Sequence, residues 1–343
     1  MARSRGSSNS GGIIKIAGII VLVLLLIFAF MTYNRISMER AVARAIAASD
    51  GSGGSGGSAA ASNDGSSGGG GAAAVEQSGG GGGTASSGGG GTGTVVNQTG
   101  TSGLQFTLIN DNTEYTVRAG TARTGAIVIP SSHNNRPVTS IYPGGFEGIT
   151  GITSVSIPSS VTRIEQRAFY GATGLTRVNI PSGVTHIGEN AFENCTSLTG
   201  IAIPNTVYFL GMSAFRNCRN LTSATIGNGV PAININTFEG CVSLNSVTIG
   251  SRVTTIGASS FADCSSLASI TLPASVTVIS TNAFARCTNL LRVTINGSVS
   301  QANFARTAFI GDIRTKYFIP DTRSGGTGTY SRPNAASRTW LKI

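Results

Sequence analysis

Five cysteines recur at intervals of 23 residues, at Cys195, Cys218, Cys241, Cys264 and Cys287. Thiols in such a series invite two chemistries, disulfide pairing and zinc ligation, and the geometry of a column suits neither. If the repeat stacks coil on coil, neighbouring Cβ atoms run parallel about 4.8 Å apart, beyond the ~3.5–4.5 Å that a disulfide spans. Ligands strung along one line cannot surround zinc tetrahedrally. Ala172 stands in the same column one coil earlier, so a small apolar filler serves there. The two histidines, His133 and His186, are far apart, and no GxSxG, HExxH, P-loop or paired-carboxylate pattern appears. The sequence thus offers no catalytic, cofactor-binding or metal-ligating constellation, and a non-enzymatic protein that works through its surface is expected.

The elements behind the cysteines repeat with the same period. Phe192, Phe215, Phe238, Phe261 and Phe284 precede them by three residues. Val161, Val184, Val207, Val230, Val253 and Val276 form another column, and Leu175, Leu198, Leu221, Leu244, Leu267 and Leu290 a third. Ile157, Ile180, Ile203, Ile226, Ile249, Leu272 and Ile295 form a fourth, usually followed by Pro or Gly, which ends a strand. One coil reads as a short strand at Val178–Ile180, a second at Val184–Ile187, and a closing turn through Ala191-Phe192 to Cys195. Such a unit is too small to bury its own core, so the coils must stack into a solenoid whose apolar ladders are shared between neighbours.

The outward strand positions are the candidate working surface. One column holds Ser156, Asn179, Ala202, Thr225, Thr248, Thr271 and Thr294. Beside it stand Ser154, Arg177, Gly200, Ser223, Ser246, Ser269 and Arg292. This face is hydroxyl-rich and nearly uncharged, and Thr225, Thr248 and Thr271 are its candidate partner-binding residues; β-propensity with solubility accounts for a threonine ladder equally well. Tyr208 and Phe209 break columns that elsewhere hold Thr162, Thr185, Pro231, Thr254 and Thr277, or Arg163, His186, Ala232, Thr255 and Val278. Adjacent residues of a strand face opposite sides unless the chain bulges, so at least one of these rings is expected to be exposed. With Arg216 and Arg219 they form a candidate aromatic–arginine patch, the competing reading being local repacking of one irregular coil.

The remaining regions differ in kind. The chain has 343 residues, 48 glycines and a net charge of +10. After a short basic tail over 1–12, residues 13–33 are apolar except for Lys15 and long enough, at about 1.5 Å per residue, to span a bilayer as a transmembrane anchor helix. A cleaved signal peptide is the competing reading, but no small-x-small site follows closely. Residues 34–50 continue as a juxtamembrane helix with Arg35, Arg40 and Arg44. Three basic residues on each side of the anchor leave its orientation open. Residues 51–103 are Gly/Ser-rich and read as a flexible linker with a reach of roughly 40 Å. The repeat domain covers 104–343, with a cap over 104–125, repeats over 126–299 and a C-terminal cap over 300–343. The alternation around Asn110-Asp111-Asn112 predicts a hairpin in the first cap, and that around Tyr330 and Trp340 a final hairpin. Arg306, Arg314, Lys316, Arg323, Arg332, Arg338 and Lys342 make the last cap basic, which discourages end-to-end pairing of exposed sheet edges. Basic residues are dispersed without aromatic interleaving, so nucleic acid is not an expected partner.

The pattern Leu-x-x-Ile-x-Leu-Pro-x-x-Val-Thr-x-Ile-Gly-x-x-Ala-Phe-x-x-Cys resembles the BspA-type, or treponemal-type, leucine-rich repeat. Ser197-Leu198-Thr199-Gly200-Ile201-Ala202-Ile203-Pro204 and Asn190-Ala191-Phe192-Glu193-Asn194-Cys195 carry it. The tail Gly328-Thr329-Tyr330-Ser331-Arg332-Pro333, followed by Thr339-Trp340, is similar to the C-terminal ends of treponemal members. The resemblance implies a mainly β leucine-rich-repeat solenoid of 23-residue coils with hairpin caps. It also implies a bacterial surface protein of adhesion, binding host matrix proteins or other cells. The expected function is a membrane-anchored recognition or adhesion module for a protein or glycan partner, its repeat domain outside the cytoplasm. The alternative is a self-associating scaffold of the cell surface or periplasm, and the balanced charges also permit a cytoplasm-facing solenoid.

Overall fold

The computed structural model describes residues 100–319 and 326–343; the expected anchor, the juxtamembrane helix and nearly all of the linker lie outside them. Among the described residues no helix is long and apolar enough to cross a membrane.

The repeats build a β-solenoid. Parallel ladders run along two walls, because each coil places the same short strands one rung above the last. The long-strand wall includes Gly151–Ser156, Arg177–Asn179, Gly200–Ile203, Ser223–Ile226, Ser246–Thr248, Ser269–Leu272 and Arg292–Ile295. The short-strand wall includes Arg163–Ile164, His186–Ile187, Phe209–Leu210, Ala232–Ile233, Thr255–Ile256 and Val278–Ile279. Partners across both walls are separated by 23 residues, as in Ile201↔Ala224 and Ile164↔Ile187.

The turns form the third wall. Two positions per turn have left-handed backbone: Asn190, Ser213, Asn236, Ser259 and Asn282 begin it, and Asn194, Asn217, Gly240, Asp263 and Arg286 precede the cysteines. Asn holds five of these ten positions, because it tolerates that conformation better than other residues with a side chain. The winding aims alternate amides along the axis. Asn190, Phe192 and Asn194 N–H donate to the carbonyls of Met212, Ala214 and Arg216 in the next coil, at 2.8–2.9 Å. Turn backbone that would otherwise be buried and unsatisfied is thus paired.

Inside, the phenylalanines stack in a single row. Phe146, Phe169, Phe192, Phe215, Phe238, Phe261, Phe284 and Phe309 have successive ring centroids 4.6–5.5 Å apart and planes within 16° of parallel. The row extends beyond the five rings that precede cysteines, and it fills the space between turn wall and strand walls. The cysteines do more than fill. Each thiol donates to the carbonyl of the phenylalanine one coil back, from Cys195 Sγ to Phe169 at 3.1 Å through Cys287 Sγ to Phe261 at 3.0 Å. Burial pushes the thiols of Cys195, Cys241 and Cys287 up to about 12 and those of Cys218 and Cys264 well above the ordinary value. The thiolate, which is the nucleophile and metal ligand, is therefore suppressed at neutral pH, and all five cysteines are free.

Both ends are closed by antiparallel strands. Gln105–Ile109 and Glu114–Arg118 form the first hairpin, with Asn110, Asp111 and Asn112 all at positive φ. Its second strand also pairs in parallel with Arg136–Ile141, so the hairpin is continuous with the short-strand wall. At the other end Gly328–Ser331 pairs antiparallel with Arg292–Ile295 and with Leu341–Lys342. A one-turn helix at Ile313–Tyr317, unforeseen from sequence, inserts buried Ile313 and Tyr317. Arg332 does not act as a solvated guard of this edge. It is buried, lies over the Trp340 ring, and donates to the carbonyls of Leu290 (2.6 Å), Thr288 (2.7 Å), Ala335 (2.8 Å) and Ser337 (3.0 Å). Its guanidinium takes up the Thr288 carbonyl, whose equivalents at Thr196, Arg219 and Val242 accept an amide of the next coil, and ties it to carbonyls of the cap.

Candidate functional site

The long-strand wall presents its outer side chains in register. Ser223 lies beside Ser246 and Thr225 beside Thr248, and one sheet further Ser269 lies beside Arg292 and Thr271 beside Thr294. Thr225, Thr248 and Thr271 are exposed. Thr294 is half-buried because the closing strand covers it, its hydroxyl 3.0 Å from that of Thr329. At the wall's border a second threonine column is occupied internally. Thr176, Thr199 and Thr222 hydroxyls donate to the carbonyls of Thr153, Thr176 and Thr199 in the preceding coils, at 2.9–3.3 Å. These hydroxyls reinforce the stacking of coils, whereas Thr225, Thr248 and Thr271 stand exposed on the wall itself.

Tyr208 and Phe209 are both exposed, at 56% and 42%. The reason is a bend in the backbone. Two successive amides, those of Tyr208 and Phe209, donate to the one carbonyl of Thr185, at 3.0 and 3.3 Å. Thr185 and His186 do the same to Thr162 one coil earlier. A chain bent so that two amides meet one carbonyl no longer alternates its side chains, and both rings point outward while Leu210 turns in to the core. Other coils hold Thr or Pro at the Tyr208 position, so core packing does not require the aromatic pair.

His186 completes the cluster. Its ring meets Tyr208 edge-on at 4.5 Å and stacks against Phe209 at 5.6 Å, and its Nδ1 is 3.0 Å from the Thr185 hydroxyl. Partial burial, and then the nearby Arg163 charge, depress its pKa, with Glu165 opposing. Arg163 itself is paired with Glu165 at 2.6 Å. The signal for His186 lay in the register, since it stands 23 residues before Phe209 and pairs with it across the ladder. Met212 and Ile235, also exposed, add apolar surface where the Phe209 coil and the coil after it enter the turn.

Arg216 and Arg219 lie elsewhere, in the turn after Phe215. Arg216 reaches between Glu239, at 2.8 Å, and Glu193, at 3.4 Å, one coil to either side. Arg219 is exposed. Among the described residues the guanidinium–ring contacts join Arg118 to Tyr142, Arg167 to Tyr170, Arg314 to Phe318 and Arg332 to Trp340, and none involves Tyr208 or Phe209. The structure therefore brings the aromatic pair together with His186, and keeps both arginines on the turn wall. Among the described residues no group of three or more His, Cys, Asp or Glu side chains is placed to hold a metal ion.

Comparison with known proteins agrees with this architecture. The family model described as BspA type leucine rich repeat region matches in six copies, over residues 125–242 and 209–318. A leucine rich cell surface protein from Faecalibacterium prausnitzii A2-165 is 35% identical, the match covering 57% of this chain and 54% of that one, with a TM-score of 0.50. A leucine-rich repeat protein from Eubacterium ventriosum is 30% identical over 48% of this chain and 42% of its own, with a TM-score of 0.43. The leucine rich repeat protein of T. pallidum is 29% identical over 48% and 88%, with a TM-score of 0.41. The match thus spans about half the length of the Faecalibacterium protein. No curated protein matches the chain. The repeat period, the stacked phenylalanines and a family match over more than half of the sequence lead to one assignment: the chain belongs to the BspA-type leucine-rich repeat family.

Proposed function

We propose that this protein is a non-enzymatic recognition or adhesion module, anchored in the membrane through residues 13–33 and carrying its repeat domain outside the cytoplasm on the 51–103 tether. The partner is a protein or glycan met along the solenoid surface. The observation that carries the reading is the exposed Tyr208–Phe209 pair, held rigidly by its backbone bend and unneeded by the core. Exposed aromatic residues on a rigid element are the usual centres of binding energy. Family membership supports the same reading, because a solenoid of stacked coils is a scaffold for binding, and the Faecalibacterium relative is described as a cell surface protein. Antiparallel strands cover both ends of the parallel ladders, which weighs against end-to-end stacking as the basis of the alternative, a self-associating scaffold of the cell surface or periplasm.

The test uses intact cells displaying the full chain. Combined Tyr208→Ala and Phe209→Ala substitution should lower adhesion to matrix-coated or glycan-coated surfaces by about tenfold or more, with the thermal melt retained. Unchanged adhesion would remove the aromatic pair from the mechanism. Protease treatment of whole cells and of spheroplasts, followed through cleavage of the tether, tests the location. Protection in both preparations would place the domain in the cytoplasm and end the surface reading.

A further inference from the structure

We propose that the solenoid carries, one coil beyond Phe209, a slot for a single pyranose ring of a neutral glycan, walled by Phe209, floored by Pro231 and Ala232, and faced by Thr254 and Thr255. This deepens the recognition reading above and rests on it.

The slot arises from register. Phe209, Ala232 and Thr255 occupy one column, and Ala232 pairs directly with Thr255. His186 stacks against one face of the Phe209 ring, while the coil on the other side offers a methyl group. Coils of a parallel stack lie about 4.8 Å apart, so skipping one side chain leaves roughly 9–10 Å between the ring and the threonine column. That space admits a saturated six-membered ring in van der Waals contact with the phenyl face.

The backbone is altered at the same coil. Thr185, Tyr208, Thr254 and Thr277 each donate their amide to the coil before them. Pro231, in the same column, has no amide hydrogen to donate. The short-strand ladder accordingly ends at Phe209–Leu210 and restarts at Ala232–Ile233, and the Tyr208 carbonyl lacks the amide that the Thr162 and Thr185 carbonyls accept. A backbone acceptor is thus left at the lip of the slot.

The chemistry of the walls selects the ligand. A pyranose has an apolar C–H face that packs on an aromatic ring and a hydroxyl rim that seeks donors and acceptors. The Phe209 ring supplies the first surface. The Tyr208 carbonyl and the Thr255 hydroxyl supply the second, with the Thr254 hydroxyl, which donates to the Pro231 carbonyl at 3.1 Å, left to accept. No charged side chain belongs to the slot, and the nearest guanidinium in its column, Arg163, is already paired with Glu165, so a neutral ligand fits. A stable protein interface would need about 800 Å² from each partner. Met212 and Ile235 extend the apolar area, but the coils beyond carry Thr254, Thr255 and Thr277 in the columns of Tyr208 and Phe209.

The experiment titrates the full chain with maltotetraose, cellotetraose, mannotetraose and chitotetraose, using calorimetry and saturation-transfer NMR. At least one should bind, with the strongest transfer to its ring C–H protons. Phe209→Ala should weaken binding about tenfold by removing the stacking surface. Ala232→Phe should do the same by filling the slot while leaving every wall in place, and the melts of both variants should match the parent. Binding that survives Ala232→Phe, or no binding by any of the four, overturns the proposal. If the saccharides fail and the double alanine variant still lowers cell adhesion, the glycan is wrong and the recognition reading stands. If adhesion is also unaffected, the slot and the part of the aromatic pair in recognition both fall.

Discussion

Replacing Phe238 with alanine removes the ring at the middle of the stacked row. Phe238 is fully buried, with Phe215 at 5.5 Å on one side and Phe261 at 5.4 Å on the other. Losing a buried phenyl group costs about 3–5 kcal/mol in transfer and cavity terms together. The upper half of that range applies here, for two reasons. Both ring contacts vanish, each worth about 0.5–1.5 kcal/mol beyond area. The cavity also cannot collapse, because hydrogen bonds fix the turn above and below it: the Phe238 amide to the Ser260 carbonyl at 2.8 Å, and the Cys264 thiol to the Phe238 carbonyl. A solenoid distributes such a loss through neighbouring interfaces. Denaturant unfolding of Phe238→Ala should therefore show a lowered midpoint, and hydrogen exchange should reveal lost protection in the coils containing Cys218 and Cys264 as well as its own. A midpoint equal to the parent's, or exchange confined to one turn, would refute the claim that the rings form a shared core.

Other consequences are smaller or local. The Ser260 hydroxyl is buried in a column that otherwise holds Ala191, Ala214, Thr237 and Ala283, and no partner for it exists among the described residues; Thr237 by contrast donates to Asn234 at 2.8 Å. Ser260→Ala should stabilise by about 1 kcal/mol, visible as a higher melting temperature, whereas Thr237→Ala should lower it. Arg332→Met keeps the bulk and removes the donors at the C-terminal cap. Four well-made carbonyl contacts are left unanswered, so the last coil should lose exchange protection first, at a cost of about 2–3 kcal/mol. His186 should titrate below its ordinary value of about 6.5, and Arg163→Gln should move it back upward, both followed by NMR of the ring protons. Because its folded pKa is depressed, the unfolded chain binds the proton more readily. Its contribution to stability is present above the unfolded value of about 6.5 and is lost as the pH falls from there through the lower folded value; a stability that rose on mild acidification through this group would contradict the assignment.

The period was open to inspection because every coil occupies the same environment. Phe192 and Phe215 meet identical neighbours, so the sequence must repeat them, and the strands, the turn and the ring row follow from that spacing. The caps were readable for a related reason: Asn110-Asp111-Asn112 is chain that must reverse, and Tyr330 and Trp340 are rings that must find cover. The cysteines were readable as filler, but their thiol-to-carbonyl bonds were not, because donation along the axis depends on where the left-handed residues aim the Phe carbonyl one coil back.

What the chain alone established is the one-dimensional order: 23 residues per rung, which positions face inward, and where the aromatic exceptions fall. Tertiary structure decided everything that depends on direction between rungs. It turned Tyr208 and Phe209 to the same side through a shared carbonyl, set His186 against them, sent Arg216 to Glu193 and Glu239 instead, and drew Arg332 from solvent into the last coil. The physical reason is that a periodic pattern specifies which residues are neighbours. Local backbone bends and the competition of hydrogen-bond partners then settle how those neighbours meet.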